Sequence, residues 1–472
     1  MDRQLATQVV AHHLRLFGVD DISVDESEER SARVLLLAGA CANDIERTKI
    51  FAEGGGTAIA ILPGDDFCGA FRVMQIRAGM PVPAVLTYQY EHNAFWARLR
   101  TLHAYYIFQQ ADGTTIVSDQ ANAAVWFWLP VKSGGVLFIG TDLAADFTRY
   151  RQGDPAKATI RPTEARWGIT GERPNYLFEE QLDGESPQER HADWWAIALA
   201  KFVSVKLGRP LRPILPGGAL GAVIITGDDD QAYLEKYREQ LAILEQTPIT
   251  YFLHPLTRHS RDSLQKMLRS HRVDLGIHPD ALDAPERYGQ LLHEQATWYR
   301  DLTGTAPLSV RNHGFLNDGY WGHLSAWLRE AISISSNLPG LDGHVLNGSL
   351  LPGRVAYEGN LTHHWSLLTA FGDGMVFALK MSDERAAEKI HLLAARIVES
   401  GIPGIIVLNL HPQNISESRA MHHAAIEIIR SGFLPWTMRD CLDWFRQKEG
   451  LPPFAKPRPL LNRLTGWLRS WN

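Results

Sequence analysis

Three consecutive aspartates, Asp228, Asp229 and Asp230, are separated by two residues from an apolar run at 223–225, in the segment ITGDDDQA. Adjacent carboxylates repel one another, so this cluster is costly unless solvent, a proton or a cation relieves it. The cost is relieved if one aspartate binds a metal ion, a neighbour accepts a proton, and the third caps the following helix or loop. The cluster therefore predicts metal and acid–base chemistry at the end of a strand.

Ionisable side chains also stand where later strand-like runs end. Along the chain these are His254, then His278 and Asp280, then Arg311 and His313 on either side of Asn312, and finally His411. A carboxylate with two imidazoles is a zinc-type ligand set that leaves one position open for water. A second carboxylate can serve as general base, a histidine opposite it as general acid, and an arginine keeps the base ionised. A single histidine of this kind is more often a hydrogen-bonded loop residue, but recurrence at nearly every strand end favours a site.

The elements that must position these residues form a regular alternation after residue 219. Strand-like runs near 222–226, 249–253, 273–277, 308–311, 331–335, 375–379 and 404–410 are separated by helical patterns, and fourteen of the 19 histidines lie between His254 and His423. Residues 219–450 are therefore predicted to form a distorted (β/α) barrel of about seven strands, whose chemistry gathers at the C-terminal ends of the strands.

The first part of the chain predicts a smaller open α/β domain over residues 1–207. Two apolar runs, at 34–37 and 58–62, flank a helical segment and the glycines 54–56, which is the pattern of a strand–helix–strand unit. The Pro/Gly-rich segment 208–218 is predicted to be the linker between the two domains.

Composition excludes several classes of protein. The 472 residues carry a net charge of −6, which argues against a nucleic-acid-binding surface. Cys41, Cys68 and Cys441 form no CxxC pair, so neither a disulfide framework nor a thiolate metal site is predicted. The first residues lack the pattern of a signal peptide and no segment approaches transmembrane length, so a cytoplasmic location is expected.

Residues from about 220 to 445 resemble the polysaccharide deacetylase family, which are metal-dependent carbohydrate de-N-acetylases on a distorted (β/α) barrel. Thr226-Gly227-Asp228-Asp229 matches the family motif T-F-D-D apart from Gly227. The resemblance implies that Asp228 is the catalytic base and that Asp229 is a metal ligand.

The remaining motifs occur in the family's order. His278 matches the first histidine of H-S/T-x-x-H, whereas Leu282 stands where the second belongs. The resemblance implies a metal-ligand role for His278, a base-orienting role for Arg311 and a general-acid role for His411. We expect His313 to be the third metal ligand because it ends a neighbouring strand, with His254 as the second candidate. The expected cofactor is a divalent metal ion, zinc.

The predicted activity is removal of an N-acetyl group from a carbohydrate within a glycan, a glycolipid or a nucleotide-linked precursor. Leu408, Leu410 and Trp365 are the candidates for the wall of an acetyl pocket, with plain packing as the alternative. Two other functions stay open. One is a non-catalytic carbohydrate-binding protein on a degenerate deacetylase barrel, and the other is a metal-dependent hydrolase of a non-sugar amide.

The two ends of the chain carry weaker signals. The pattern LLLAGA…EGGGTAIAILPG resembles the class I glutamine amidotransferase-like fold, but Cys68 in DDFCGAF lacks the first glycine of G-x-C-x-G, so no glutaminase chemistry is predicted. A non-catalytic module that shapes the substrate cleft or forms a homo-oligomer interface is expected instead.

The tail 451–472 places Leu460, Leu461, Leu464, Trp467, Leu468 and Trp471 on one helical face. This spacing predicts either an interfacial helix on an anionic membrane or a partner, or a terminal helix docked on its own barrel.

Overall fold

The computed structural model describes residues 1–24, 32–79, 81–89, 98–159, 173–178, 189–340 and 343–454. The predicted C-terminal amphipathic helix lies outside these residues. The α-helices are α1 Arg3–Leu16, α2 Ile45–Glu53, α3 Asp65–Ala70, α4 Leu143–Gln152, α5 His191–Leu207, α6 Leu234–Leu244, α7 Arg261–Ser270, α8 Tyr288–Thr303, α9 Leu324–Arg329, α10 Asp373–Ala378, α11 Asp383–Ser400, α12 Arg419–Arg430 and α13 Met438–Lys448. Within the described ranges, none of these helices combines the length and apolar character needed to span a bilayer.

The strands fall into two sheets. Those of the first are β1 Ile22–Ser23, β2 Val34–Ala38, β3 Thr57–Ile61, β4 Met74–Arg77, β5 Ala84–Tyr88, β6 Arg98–Thr101, β7 Tyr106–Gln109, β8 Thr114–Ser118, β9 Ala124–Val131 and β10 Gly134–Ile139. Those of the second are β11 Gly221–Asp228, β12 Ile249–Leu253, β13 Val273–Ile277, β14 Ser309–Val310, β15 Ile334–Pro339, β16 Gly353–Tyr357, β17 Asn360–Thr369, β18 Phe371–Gly372, β19 Gly404–Asn409 and β20 Leu434–Pro435.

The first sheet joins a parallel part to an antiparallel part. Strands β1, β2, β3 and β10 are parallel neighbours, and the order then continues through β9, β8, β5 and β6 in antiparallel pairs. Strands β2 and β3 flank α2 and pair in parallel, which confirms the predicted strand–helix–strand unit. The fold is therefore mixed α/β in this part of the chain.

The second sheet is mostly parallel. Its order is β16-β17-β15-β14-β13-β12-β11-β19-β18, and β16–β17 is the antiparallel pair among these neighbours. Strand β17 pairs with β15, while β18, which begins two residues after β17 ends, pairs with β19. The sheet confirms the predicted run of parallel strands with intervening helices, and its closure into a barrel stays a prediction.

One predicted strand was wrong. The apolar run at 375–379 lies in and just after α10, and the corresponding strand is β17, which comes earlier in the chain. Strand β17 is buried over its C-terminal six residues because both of its faces are covered: Trp365 and Leu367 lie in one buried cluster and Leu368 in another. The alternation typical of a half-exposed strand is therefore missing there.

The two sheets share one hydrophobic core. A single cluster of buried side chains includes Val34 of β2, Ile224 of β11, Trp365 of β17 and Phe445 of α13. The predicted linker also packs, since Leu215 is buried in the same cluster. The boundary at 208–218 stays a prediction, and a large apolar contact joins the regions on either side of it.

Candidate metal and acid–base site

The C-terminal ends of the second sheet's strands meet around one cavity of about 360 Å³. Strand β11 is central, with β12 and β19 as parallel neighbours, and its buried run GAVIIT carries the three aspartates to this edge. Parallel strands place their carboxyl ends at the same edge, so residues far apart in sequence converge there. The ionisable residues lining the cavity are Asp228, Asp230, His278, His313, His411 and Arg173.

Asp228 is held as an ionised carboxylate. One oxygen accepts from the Arg311 guanidinium at 2.9 Å and the other from the Asn409 amide at 2.8 Å. Burial opposes ionisation, but the charges of Arg311, His278 and His411 outweigh it and lower the pKa of Asp228. The carboxylate is thus oriented, charged and open to the cavity.

Arg311 is fully committed to this arrangement. Its side chain is completely buried and donates five hydrogen bonds, which matches the five N–H groups of a guanidinium. Besides Asp228, the acceptors are Thr226, Thr369 and the hydroxyl and carbonyl of Ser336. Because these acceptors lie on β11, β15 and β17, Arg311 fixes three strand ends relative to one another.

Asp230, His278 and His313 bring three potential ligand atoms into a compact triangle. Asp230 Oδ1 lies 3.2 Å from His278 Nε2 and 3.1 Å from His313 Nδ1, and the two imidazole nitrogens are 3.1 Å apart. A tetrahedral zinc site with ligands at about 2.0–2.2 Å has ligand–ligand separations of about 3.3–3.6 Å. The triangle fits one face of such a site after a small expansion.

The hydrogen bonds of His278 prepare it for this role. Its Nδ1 donates to the backbone oxygen of Arg311 at 2.7 Å, and this bond turns Nε2 towards Asp230 and His313. Metal-binding histidines usually donate their second ring nitrogen in this way, which fixes the tautomer and the ring orientation.

His254 offers no free ring-nitrogen lone pair to a metal ion, because its Nδ1 already accepts a hydrogen bond. Its Nδ1 accepts from the backbone N–H of Leu256 at 3.1 Å, so the neutral ring carries its proton on Nε2, which lies 3.2 Å from Asp280. Asp280, His254 and His313 do approach one another closely enough to resemble a second ligand group. The tautomer nevertheless makes His254 a donor to Asp280, and of the two histidines expected as the third ligand, His313 is the one that lies beside both Asp230 and His278.

Asp229 does not join the triangle. Its carboxylate accepts from the Tyr237 hydroxyl at 2.5 Å and from the backbone N–H of His254 at 3.3 Å, and burial raises its pKa. It ties the loop after β11 to α6 and to the end of β12. Asp230, and not Asp229, therefore faces His278 and His313, while Asp229 holds the loop through Tyr237 and the backbone of His254.

A turn of the backbone directs Asp230, and not Asp229, towards the two histidines. Asp230 and Gln231 have φ values of 39° and 62°, in the left-handed region. Aspartate tolerates this region better than most residues, and the turn redirects the Asp230 side chain towards His278 and His313. Spacing in the sequence contains no sign of such a turn, so Asp230 could not be chosen from the sequence.

His411 and Asp373 form a buried dyad at the opposite side of the aspartates. Asp373 accepts from both the backbone N–H and Nδ1 of His411, at 2.7 and 2.5 Å. Burial disfavours the imidazolium, but Asp373, Asp230 and Asp228 outweigh it and raise the pKa of His411 to about 10. His411 Nε2 lies 3.4 Å from Asp230 and 3.6 Å from Asp228, so a protonated imidazole faces the same space as the Asp228 carboxylate.

Sequence reasoning missed three contributors, namely Asp373, Asn409 and Gln413. Asp373 begins α10, two residues before the predicted strand at 375–379, and only its contact with His411 identifies it. Asn409 contacts Asp228, and Gln413 donates to Asp230 at 3.2 Å. Asn409 follows the apolar run of β19, as the aspartates follow that of β11, and this signal could have found it.

The residues expected to wall an acetyl pocket are placed elsewhere. Leu408 and Leu410 have no exposed surface and Trp365 is 1% exposed, and none of them lines the cavity. Trp365 packs against the rings of His12 and Phe445 between the two sheets. The apolar cavity walls are Leu282, Phe315, Pro339, Phe371 and Ala378.

No protein-family model and no curated protein sequence matches the chain. Several solved structures are similar at low identity. A protein assigned as a polysaccharide deacetylase from Mycobacterium smegmatis is 18% identical with a TM-score of 0.41, over 53% of this chain and 98% of that one. A protein assigned as a polysaccharide deacetylase in O-antigen biosynthesis from Bordetella bronchiseptica is 18% identical with a TM-score of 0.31, over 50% of this chain and 92% of that one. The peptidoglycan deacetylase PdaC from Bacillus subtilis is 10% identical with a TM-score of 0.32, over 55% of this chain and all of that one.

Proposed function

We propose that the chain is a metal-dependent hydrolase that removes the N-acetyl group from a carbohydrate. The observation that carries this proposal is the convergence, on one cavity, of a ligand triangle, an arginine-oriented carboxylate and a protonated histidine. The order of the sequence motifs that resemble polysaccharide deacetylases supports the same reaction. We take the substrate to be an N-acetylated sugar of a glycan, glycolipid or nucleotide-linked precursor.

Asp230, His278 and His313 are the residues that would hold the metal, and zinc suits two imidazoles and one carboxylate. A divalent ion bound there supplies Lewis-acid polarisation of the acetamide carbonyl and makes water more acidic. The same three residues leave one side of the site facing the cavity, so a water molecule and an acetamide can both reach it.

The proton transfers fall to Asp228 and His411. Asp228 accepts the proton of the attacking water, because Arg311 and Asn409 keep its carboxylate charged and fixed. Water adds to the carbonyl carbon, the C–N bond breaks, and acetate leaves. His411 donates its Nε2 proton to the departing amine, while Asp373 stabilises the imidazolium before transfer.

Acetate release from N-acetylated sugars by the zinc-loaded protein tests this proposal. Asp228→Asn should reduce kcat by about 10²- to 10⁴-fold, the usual contribution of a general base. The matched control is Asp280→Asn, which alters a carboxylate near the same edge that lies outside the triangle. A wild-type protein that binds these sugars without releasing acetate would favour a carbohydrate-binding protein, and one that cleaves only simple amides would favour a non-sugar amidohydrolase.

A further inference from the structure

Arg173 is a cavity-lining cation that the proposed reaction does not use. It lies immediately before the 3₁₀ turn Pro174–Leu177, outside the second sheet, and it lines the cavity together with Asp228 and His411. Its Nε donates to the backbone oxygen of Gly314 at 3.1 Å. No described residue provides a carboxylate partner for its guanidinium.

The environment of Arg173 differs from that of Arg311 and Arg190. Arg311 pairs with Asp228 and Arg190 pairs with Asp193, and both also donate to backbone oxygens. Burial alone lowers the pKa of Arg173 to about 10, so it remains charged at neutral pH. Burying a cation is unfavourable unless an anion lies nearby, and none of the described residues supplies one to Arg173. A ligand anion in the cavity would relieve that cost.

We propose that Arg173 binds an anionic group, a carboxylate or a phosphate, carried by the N-acetylated sugar substrate. This inference rests on the proposed function and narrows its substrate class. With Nε occupied by Gly314, the guanidinium presents its terminal N–H groups, whose planar arrangement matches carboxylate and phosphate oxygens.

The other charges around the cavity agree with an anionic ligand. Asp228 is balanced by Arg311, and Asp373 is balanced by the protonated His411. Among the described ionisable residues that line the cavity, Asp230 is then the carboxylate whose negative charge is not yet balanced. A divalent ion bound by the triangle would more than balance it. Arg173 then adds to a positive balance, which attracts an anion.

A purely structural role for Arg173 would act through its bond to Gly314. Gly314 and Phe315 have φ values of 62° and 56°, and they directly follow His313 in a loop that Arg173 contacts. A structural role would therefore weaken metal binding and affect neutral and charged substrates equally. An anion-binding role would discriminate between them.

The test compares an N-acetylhexosamine, its 1-phosphate and its uronic acid as substrates of the zinc-loaded full chain. Wild type should release acetate from at least one of the two anionic sugars with a kcat/KM about 10- to 100-fold higher than from the neutral sugar, the usual contribution of hydrogen bonds to charged groups. Arg173→Gln should abolish that preference through KM while retaining zinc, and Arg173→Lys should keep part of it. Arg385→Gln, which removes an exposed arginine paired with Glu388, is the matched control and should keep all of it.

The outcomes separate the two proposals, and the two anionic sugars identify which group is recognised. Equal kcat/KM for neutral and anionic sugars in wild type would overturn the anion site and leave the deacetylase proposal intact. The anion site would also be overturned if Arg173→Gln still preferred anionic over neutral sugars. It would be overturned as well if Arg173→Gln lost zinc and lost activity equally towards all three sugars. No acetate release from any of the sugars would overturn the proposed function and this inference with it.

Discussion

The two sheets contain similar buried parallel strands, but their C-terminal edges differ. In the first sheet, β2, β3 and β10 are fully or almost fully buried and are followed by Gly39, Leu62 and Gly140. In the second sheet, buried strands end in or are followed within two residues by Asp228, His254, His278, Arg311 and His411. A parallel sheet provides an edge where distant residues meet, and the residue types at that edge decide whether it can do chemistry.

Buried charge is also used differently in the two regions. Asp146 of α4 accepts from the Thr101 hydroxyl, the backbone N–H of Leu102 and His103 Nδ1, so its oxygens stabilise the first sheet. Asp228 is bonded equally firmly, yet it still lines a cavity. The comparison indicates that burial and pairing alone do not mark a site, and that access to a cavity is the second requirement.

Removal of a triangle residue should give the largest effect. We expect Asp230→Ala, His278→Ala and His313→Ala each to lower zinc affinity by more than about 100-fold, since even residues that only support metal ligands are worth 10- to 100-fold. Elemental analysis and zinc titration of the purified variants check this. His254→Ala is the control and should retain about one zinc per chain, because its lone pair is used by Leu256.

The opposite pattern would contradict this assignment. If His254→Ala loses zinc and His313→Ala retains it, the ion is held by the group containing Asp280. Failure of the wild-type protein to take up Zn²⁺, Co²⁺ or Mn²⁺ would remove the metal-dependent mechanism and leave the second sheet's edge as a structural network like that around Asp146.

Loss of the Asp373 charge should have the next largest effect. Asp373→Asn keeps the side chain's size but removes the anion that stabilises the His411 imidazolium. We expect kcat for acetate release to fall by about 10- to 100-fold, within the lower range for general acid–base groups, with zinc content unchanged. A rise in KM with constant kcat would instead assign Asp373 to substrate binding.

Truncation of Trp365 should affect stability and leave the site's chemistry unchanged. Trp365 fills the contact between the sheets, against His12 and Phe445, so Trp365→Ala should lower the free energy of unfolding by ~3–5 kcal/mol. Denaturant unfolding measures this, and Trp365→Phe should restore much of the loss. A stable Trp365→Ala protein with reduced sugar affinity would return Trp365 to the substrate-binding role suggested by the sequence.

The sequence predicted which strand ends come together better than it predicted which aspartate faces the two histidines. Apolar runs ending in ionisable residues correctly indicated that Asp228, His278, Arg311, His313 and His411 would lie together, because that signal depends on strand ends alone. The choice between Asp229 and Asp230 depends on a left-handed turn, and the partnership of Asp373 with His411 depends on tertiary contact. Strand β17 was missed for a related reason, since tertiary packing covers both of its faces and leaves no alternation to recognise.

The reactivity of Cys68 tests whether the first sheet carries a reactive thiol, and its substitution should have the smallest effect on activity. Burial, with a contribution from Asp65, raises the pKa of the Cys68 thiol to about 12, and the thiol donates to Gln75. At about pH 8 the thiolate fraction is then on the order of 10⁻⁴, against about a quarter for a free cysteine.

We expect iodoacetamide to label partly exposed Cys41 of the folded protein and to label less than about 1% of Cys68 over the same time, whereas denaturant should make both reactive. Mass spectrometry of the labelled peptides measures this, and Cys68→Ser should retain full acetate release. Rapid labelling of Cys68 at neutral pH would reveal an accessible thiolate, and the first sheet would then need to be considered as a second catalytic edge.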